Sequence, residues 1–168
     1  MRSWLLGAPL AAAVLACGGG TTPTTNAGVT ATVTGRFQDW VKAFNWASPD
    51  SLAPFYEQTD YFTAAWPNGE RTRGWAKESE FQKDFLPTVR VMNLSPQSPV
   101  VTLVRKDLAL VTFGLSLDMD AGGTRTIGSG QGTTLWQDDG GAWKLYAVQL
   151  AYTNASQSRT GPAAGKAR

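Results

Sequence analysis

The stretch from Gly128 to Tyr152, GSGQGTTLWQDDGGAWKLYAVQLAY, constrains the fold more than any other part of the chain. Asp138-Asp139-Gly140-Gly141 is hairpin-turn chemistry, because adjacent glycines accept the positive φ that tight loops between antiparallel strands require. A tryptophan stands on either side of the turn, in segments that alternate between bulky and small side chains. Closing the hairpin there sets Trp136 opposite Trp143, Thr134 opposite Leu145, Gly132 opposite Ala147 and Gly130 opposite Gln149. On that face both tryptophans lie near the turn, and Gly128, Gly130, Gly132, Ala147 and Ala151 dominate the far end. Interior strand glycines forfeit packing, so the alternation requires a reason. Either helices pack unusually close to the strand, or space is kept for a ligand with Gln149 as the amide facing it. The other face would carry Ile127, Leu135, Tyr146, Val148, Leu150 and Tyr152, apolar enough to need a cover such as a second subunit. A slip of one residue exchanges the two faces.

Upstream, the period of two continues backwards. In residues 108–120, Ala109, Val111, Phe113, Leu115, Leu117 and Met119 alternate with Thr112, Gly114, Ser116 and Asp118, predicting a long half-buried strand, and residues 100–105 predict a shorter one. Before Val89 the period is helical. Val33, Phe37, Trp40, Val41 and Phe44 fall on one stripe of a helix over 29–47, and Ser48-Pro49-Asp50 restarts a short helix carrying Leu52, Phe55 and Tyr56. A strand over 59–66 turns at Pro67-Asn68-Gly69, and a second long helix over 75–86 stops at Pro87. On that helix Trp75, Phe81, Phe85 and Leu86 share an arc that also contains Glu78 and Gln82. Polar residues inside an apolar arc either snorkel at its margin or point into a cavity. Helices first and antiparallel strands after them make an α+β fold.

The composition removes several function classes. The chain has 168 residues, enough for one domain, with a net charge of +2 and no basic stripe, which argues against nucleic acid. It contains no histidine, so the commonest general base and metal ligand is missing, and with one cysteine and no dense carboxylate cluster no metal site is expected. Asp118 and Asp120 share a strand face beside a turn, a weak Ca²⁺ pattern more often found as solvated carboxylates. Gly128, Gly130 and Gly132 alternate along a strand rather than opening a helix, so they form no phosphate loop.

The two ends stand apart from the domain. Residues 1–16 combine Arg2, an apolar run from Leu5 to Leu15 and Val14-Leu15-Ala16 before Cys17, a pattern that resembles the bacterial lipoprotein signal, in which Cys17 would be lipidated. A lone exported cysteine fits that role better than a free thiol. In family terms Gly18 after the cysteine implies, in a cell that has an outer membrane, an anchor there facing the periplasm. Residues 17–28 read as the lipidated cysteine and a flexible tether, 29–153 as the folded domain and 154–168 as a disordered tail.

A tryptophan-bearing first helix, a short strand pair closing with Asn68-Gly69-Glu70 and Gly74, a second helix and then long strands form a familiar order. With the run from Gly130 to Trp136 and Gly140-Gly141-Ala142-Trp143-Lys144-Leu145, the domain resembles the nuclear-transport-factor-2-like superfamily in its SnoaL-like branch. The resemblance implies a cone: a curved antiparallel sheet wrapped against N-terminal helices, with a pocket between them, and homodimers packed through the outer sheet face. Residues on inward arcs are then the pocket candidates: Trp40, Phe44, Tyr56, Tyr61, Trp66 and Trp75, with Glu78, Gln82, Gly130, Trp136 and Gln149. Where catalytic relatives place histidines on the last strand, this chain has Ala147 and Gln149. Catalysis of the cyclase, isomerase or dehydratase kind would fall to Asp60 or Glu78 as base, with Tyr56 or Tyr61 as donor, although Asp60 suits a turn cap better than a catalytic role. The expectation is therefore a membrane-tethered module at the bacterial cell envelope for a small apolar ligand or a partner chain, without a cofactor; the alternatives are an enzyme using a pocket carboxylate, and a dimeric scaffold with a filled core.

Overall fold

The computed structural model describes residues 27–160. Residues 1–16, Cys17 and most of the tether, and residues 161–168 lie outside them. Helix α1 (Ala27–Asn45) begins two residues before the sequence pattern places it and buries Val33, Phe37, Trp40 and Phe44, the 3.6-period stripe. It ends before Trp46, which is 80% exposed, and the chain reverses at Ala47 with φ of 51°. Ser48 stands at the N-cap of α2 (Pro49–Leu52) but makes no capping hydrogen bond with its side chain. A 3₁₀ turn, Ala53–Phe55, then delivers Tyr56.

Strands β1 (Thr63–Ala65) and β2 (Arg71–Arg73) form a short hairpin. Its turn uses Gly69 at φ 91°, with the Glu70 N–H donating to Asn68 Oδ1. The strand predicted over 59–66 is thus cut to three residues, because Thr59 accepts hydrogen bonds from the Phe62 and Trp75 N–H groups and so folds into a turn. Helix α3 (Trp75–Phe85) follows Gly74, whose φ of 81° suits glycine, and Leu86–Thr88 adds a 3₁₀ turn around Pro87.

Four long strands complete the sheet: β3 (Val89–Arg105), β4 (Leu108–Ala121), β5 (Thr124–Asp139) and β6 (Ala142–Arg159). The order is β2-β1-β6-β5-β4-β3. The sheet is curved and open, and it is mixed rather than wholly antiparallel, since β1 runs parallel to β6 with Thr63 opposite Ala147. A hairpin would force antiparallel pairing, but β1 reaches β6 only after α3 and four strands intervene, so a parallel edge is permitted. Strand β6 continues to Arg159, six residues beyond the end of the domain read from the sequence, paired there with the start of β5.

The alternation read for β4 holds: Ala109, Val111, Phe113, Leu115 and Leu117 are all buried. They meet α1, with the Phe37 and Phe113 ring centroids 4.9 Å apart. Two side chains fasten α1 to the sheet. Asn45 donates to Leu94 O at 3.0 Å and accepts from Leu94 N–H at 2.6 Å, pinning β3. Arg36 donates to the carbonyls of Trp143 and Pro54 while its guanidinium lies 4.1 Å from the Phe55 ring centroid.

The β5–β6 register differs from the expected one. Only Gly140 and Gly141, at φ 61° and 98°, form the loop, so Asp139 faces Ala142 and Trp136 faces Leu145 rather than Trp143. A slip of two residues preserves the faces. A bulge between Leu135 and Trp136 then adds one residue to β6, and the faces of that strand exchange beyond it. Thr134 faces Val148, Gly132 faces Leu150 and Gly130 faces Tyr152. Val148 and Leu150 are therefore core residues, and Gln149 and Ala151 are exposed.

Candidate functional site

The bulge decides what fills the glycine stripe. A methyl group on Gly132 would lie 2.3 Å from the Phe113 ring, one on Gly128 would lie 2.5 Å from the Tyr152 ring, and one on Gly130 would lie 1.9 Å from the Ala151 carbonyl oxygen. The stripe is taken up by close approach, from neighbouring strands rather than from helices, and Gly130 borders no ligand space. Gln149 is likewise removed from the pocket; it lines a concavity on the opposite side of the sheet with Leu110, Leu135 and Ala147.

A cavity does exist, elsewhere in the cone. Phe44 from α1, Leu52 from α2 and Tyr56 form one wall, and Phe81, Gln82 and Phe85 from α3 form another. Trp66, Pro67 and Asn68 of the β1–β2 turn and Met92, Leu117 and Met119 of the sheet close it. Its volume is about 40 Å³, far below the roughly 300–1,000 Å³ of sites that engulf a drug-sized ligand. Its surface is nearly all apolar. Aromatic rings shape it: Phe44 stacks on Trp66 at 5.7 Å, and Phe81 on Phe85 at 5.3 Å.

Behind this wall runs a buried polar chain. Glu78 is completely buried, with Oε2 accepting from Trp66 Nε1 and Thr72 Oγ1, and Oε1 accepting from Gln82 Nε2 at 2.7 Å. Burial pushes the Glu78 carboxyl pKa upward, against the pull of its three donors. Tyr56 is also buried, and its hydroxyl accepts from Trp40 Nε1 at 3.4 Å. Desolvation, and secondarily the Glu78 charge, hold the Tyr56 hydroxyl far above the ordinary tyrosine range, so it stays protonated at any physiological pH. A side-chain hydrogen bond with Gln82 works against that shift, as the one from Trp40 does, while Gln82 Oε1 itself is buried without a partner.

The sequence candidates divide accordingly. Phe44, Tyr56, Trp66 and Gln82 line the cavity, and Glu78 lies directly behind Gln82 and Trp66. Trp40 and Trp136 are wholly buried core residues, Trp136 donating to Thr134 Oγ1. Trp75 packs on the Tyr56 ring at 5.5 Å without reaching the cavity. Asp60 is exposed beside Gly74 in the turn that precedes β1, and Tyr61 is 70% exposed, so neither faces the cavity. Asp118 and Asp120 are engaged by Arg125 and Arg90 at 2.7 Å each. Sequence reasoning missed Met92, Leu117 and Met119, although Phe81, Phe85 and Leu86 had shared the arc of Glu78 and Gln82, which was the available signal.

Among the described residues, three α-helices packed on a curved, six-stranded mixed sheet with a cavity between them make the nuclear-transport-factor-2-like α+β cone fold. Among solved structures, a candidate scytalone dehydratase from Novosphingobium aromaticivorans is similar with a TM-score of 0.68 at 15% identity, over 85% of this chain and 97% of the other. A nuclear-transport-factor-2-like protein from Salmonella enterica is similar with a TM-score of 0.64 at 15% identity, over 84% and 99% of the two chains. Hexachlorocyclohexane dehydrochlorinase of type 3 from Novosphingobium barchaimii gives 0.65 at 10% identity, over 79% and 91%. No family model matches the sequence, and no curated protein does.

Proposed function

We propose that this chain is a lipid-anchored domain facing the periplasm that binds a small, largely apolar ligand in the cavity beside Gln82. The carrying observation is the division of labour around that cavity. Its walls are apolar apart from a few polar atoms, while the carboxylate behind it has both oxygens occupied by donors. Such a site holds and orients a ligand but offers it no free base. Apolar compounds of a few heavy atoms should raise the melting temperature of the full chain by mass action. Met92→Trp, which fills the cavity, should abolish the shift. A broad panel in which no compound shifts wild type would overturn the reading. The anchor is supported by the leader pattern and the single cysteine. In cells fed labelled palmitate, wild type should be labelled and membrane-bound, and Cys17→Ser unlabelled and released; a labelled Cys17→Ser would refute the anchor.

One observation favours a second reading, an enzyme of the dehydratase or elimination kind. The raised pKa of Glu78 is what a buried general base would show, and two neighbours are named for such reactions. Gln82 would have to swing aside first. Turnover of a β-hydroxy ketone by wild type, lost in Glu78→Gln, would establish this alternative.

A further inference from the structure

We propose that Gln82 is the specificity-determining residue of the cavity and that Glu78 positions it to accept a hydrogen bond, so that the ligand is a small apolar molecule bearing a single hydroxyl. The inference rests on the binding reading above and narrows its ligand class.

The orientation of the Gln82 amide is forced from behind. Trp66 Nε1 can only donate, and it donates to Glu78 Oε2 together with the Thr72 hydroxyl. The remaining oxygen, Oε1, receives Gln82 Nε2. Both Glu78 oxygens act as acceptors in this network, so turning the amide over would bring two acceptor oxygens together. Gln82 therefore presents Oε1 on its other side, and that atom is buried, with Gln82 only 3% exposed, and has no partner. Buried acceptors left unpaired are costly, and a ligand donor reaching this oxygen relieves the cost. An ammonium group would satisfy Oε1 but strand its other N–H groups against an apolar wall. A hydroxyl brings one donor and no surplus. Because 40 Å³ does not hold a whole aromatic ring, the hydroxyl end enters and the ring rests against Phe81 and Phe85, which are half-buried.

The same chain of donors gives a way to invert the preference. In Glu78→Gln, the new amide must keep its oxygen toward Trp66 Nε1 and Thr72, which sends its NH₂ toward Gln82. Gln82 then turns to accept, and its own NH₂ faces the cavity. The site changes from an acceptor to a donor without losing a wall residue.

The test is calorimetric titration of the full chain at neutral pH with phenol, fluorobenzene (its near-isostere without a donor) and pyridine (an acceptor without a donor). Wild type should bind phenol at least about tenfold more tightly than fluorobenzene, an ordinary margin for one buried hydrogen bond. In Glu78→Gln the pyridine-to-phenol affinity ratio should rise at least about tenfold; hydration of the two probes cancels in that ratio, and a purely structural role for Glu78 would weaken both alike. Equal binding of phenol and fluorobenzene to wild type overturns this inference and leaves the binding reading standing. An unchanged ratio in a folded Glu78→Gln overturns the positioning role. Failure of all three probes to bind overturns this inference, while the binding reading stands or falls with the broader panel described above. If Glu78→Gln does not fold, the wild-type pair still decides.

Discussion

Gly130→Ala should destabilise the domain by about 3 kcal/mol or more, the upper end of what overpacking costs. The added methyl would stand 1.9 Å from the Ala151 carbonyl oxygen and 2.9 Å from the Tyr152 Cα, so the obstacle is backbone that belongs to the neighbouring strand. Relief would require β6 to move away from β5 at the irregularity between Ser129 and Gly130, which would loosen the pairing on either side. Gly132→Ala meets the Phe113 ring instead, at 2.3 Å, and that ring is hemmed in by Phe37. Its cost should be smaller, about 1–3 kcal/mol, because a side chain can yield where a backbone cannot. Gly35→Ala supplies the opposite sign. It lies within α1 with nothing inside 4 Å of the new methyl, so it should stabilise by about 0.5–1 kcal/mol through helix propensity alone. Urea unfolding of the three variants reads these as midpoint shifts at constant m. A neutral Gly130→Ala would mean that β5 and β6 are not packed as described.

The glycine stripe also shows where the sequence was legible and where it was not. Alternating glycines announced that something comes close to β5, and something does. What comes close depended on register, and register depended on which residues of the Asp138–Gly141 turn form the loop, here only Gly140 and Gly141, and on one extra residue at the bulge beside Trp136, which has no sequence signature. A single bulge residue is enough to move Val148 and Leu150 inward and Gln149 outward, because side chains alternate with a period of two. Strand β3 hides for a related reason. Pro96 and Pro99 argue against a strand, yet β3 is an edge, where a missing N–H is tolerated, and Ser98 at φ 48° marks the irregularity between them. Helices were easier, since their apolar stripes are read without knowing a partner. The same reading placed Glu78 and Gln82 inside an apolar arc, and both proved buried. The sheet side of the cavity was not readable, because which end of a strand lies over which helix is a tertiary fact.

Stability should fall as pH rises through the titration of Glu78, and Glu78→Gln should remove that slope. Burial raises the folded-state pKa of this carboxyl above its ordinary 4.5. Between those two values the native state holds a proton that the unfolded chain has released, so unfolding is favoured as pH increases across the window. The contribution is complete below about pH 4.5 and is lost once pH has passed the folded value. Asp118 and Glu80 have lowered pKa values through Arg125 and Lys77, and they act in the opposite direction. Both are at the surface, and both are present in wild type and variant, so subtracting the two stability–pH curves isolates residue 78. The difference curve, from urea unfolding between about pH 4 and 8, should show Glu78→Gln gaining on wild type as pH rises. Glu78→Ala should behave differently: it strands the Trp66 Nε1 and Gln82 Nε2 donors in a dry interior and leaves a void, costing about 3 kcal/mol even at pH 4, where the charge no longer matters. The separation between the two variants is what distinguishes a carboxyl kept for its hydrogen bonds from one kept for its charge. A difference curve that is flat with pH would show that Glu78 titrates normally, and its burial behind Gln82 would then have no electrostatic consequence.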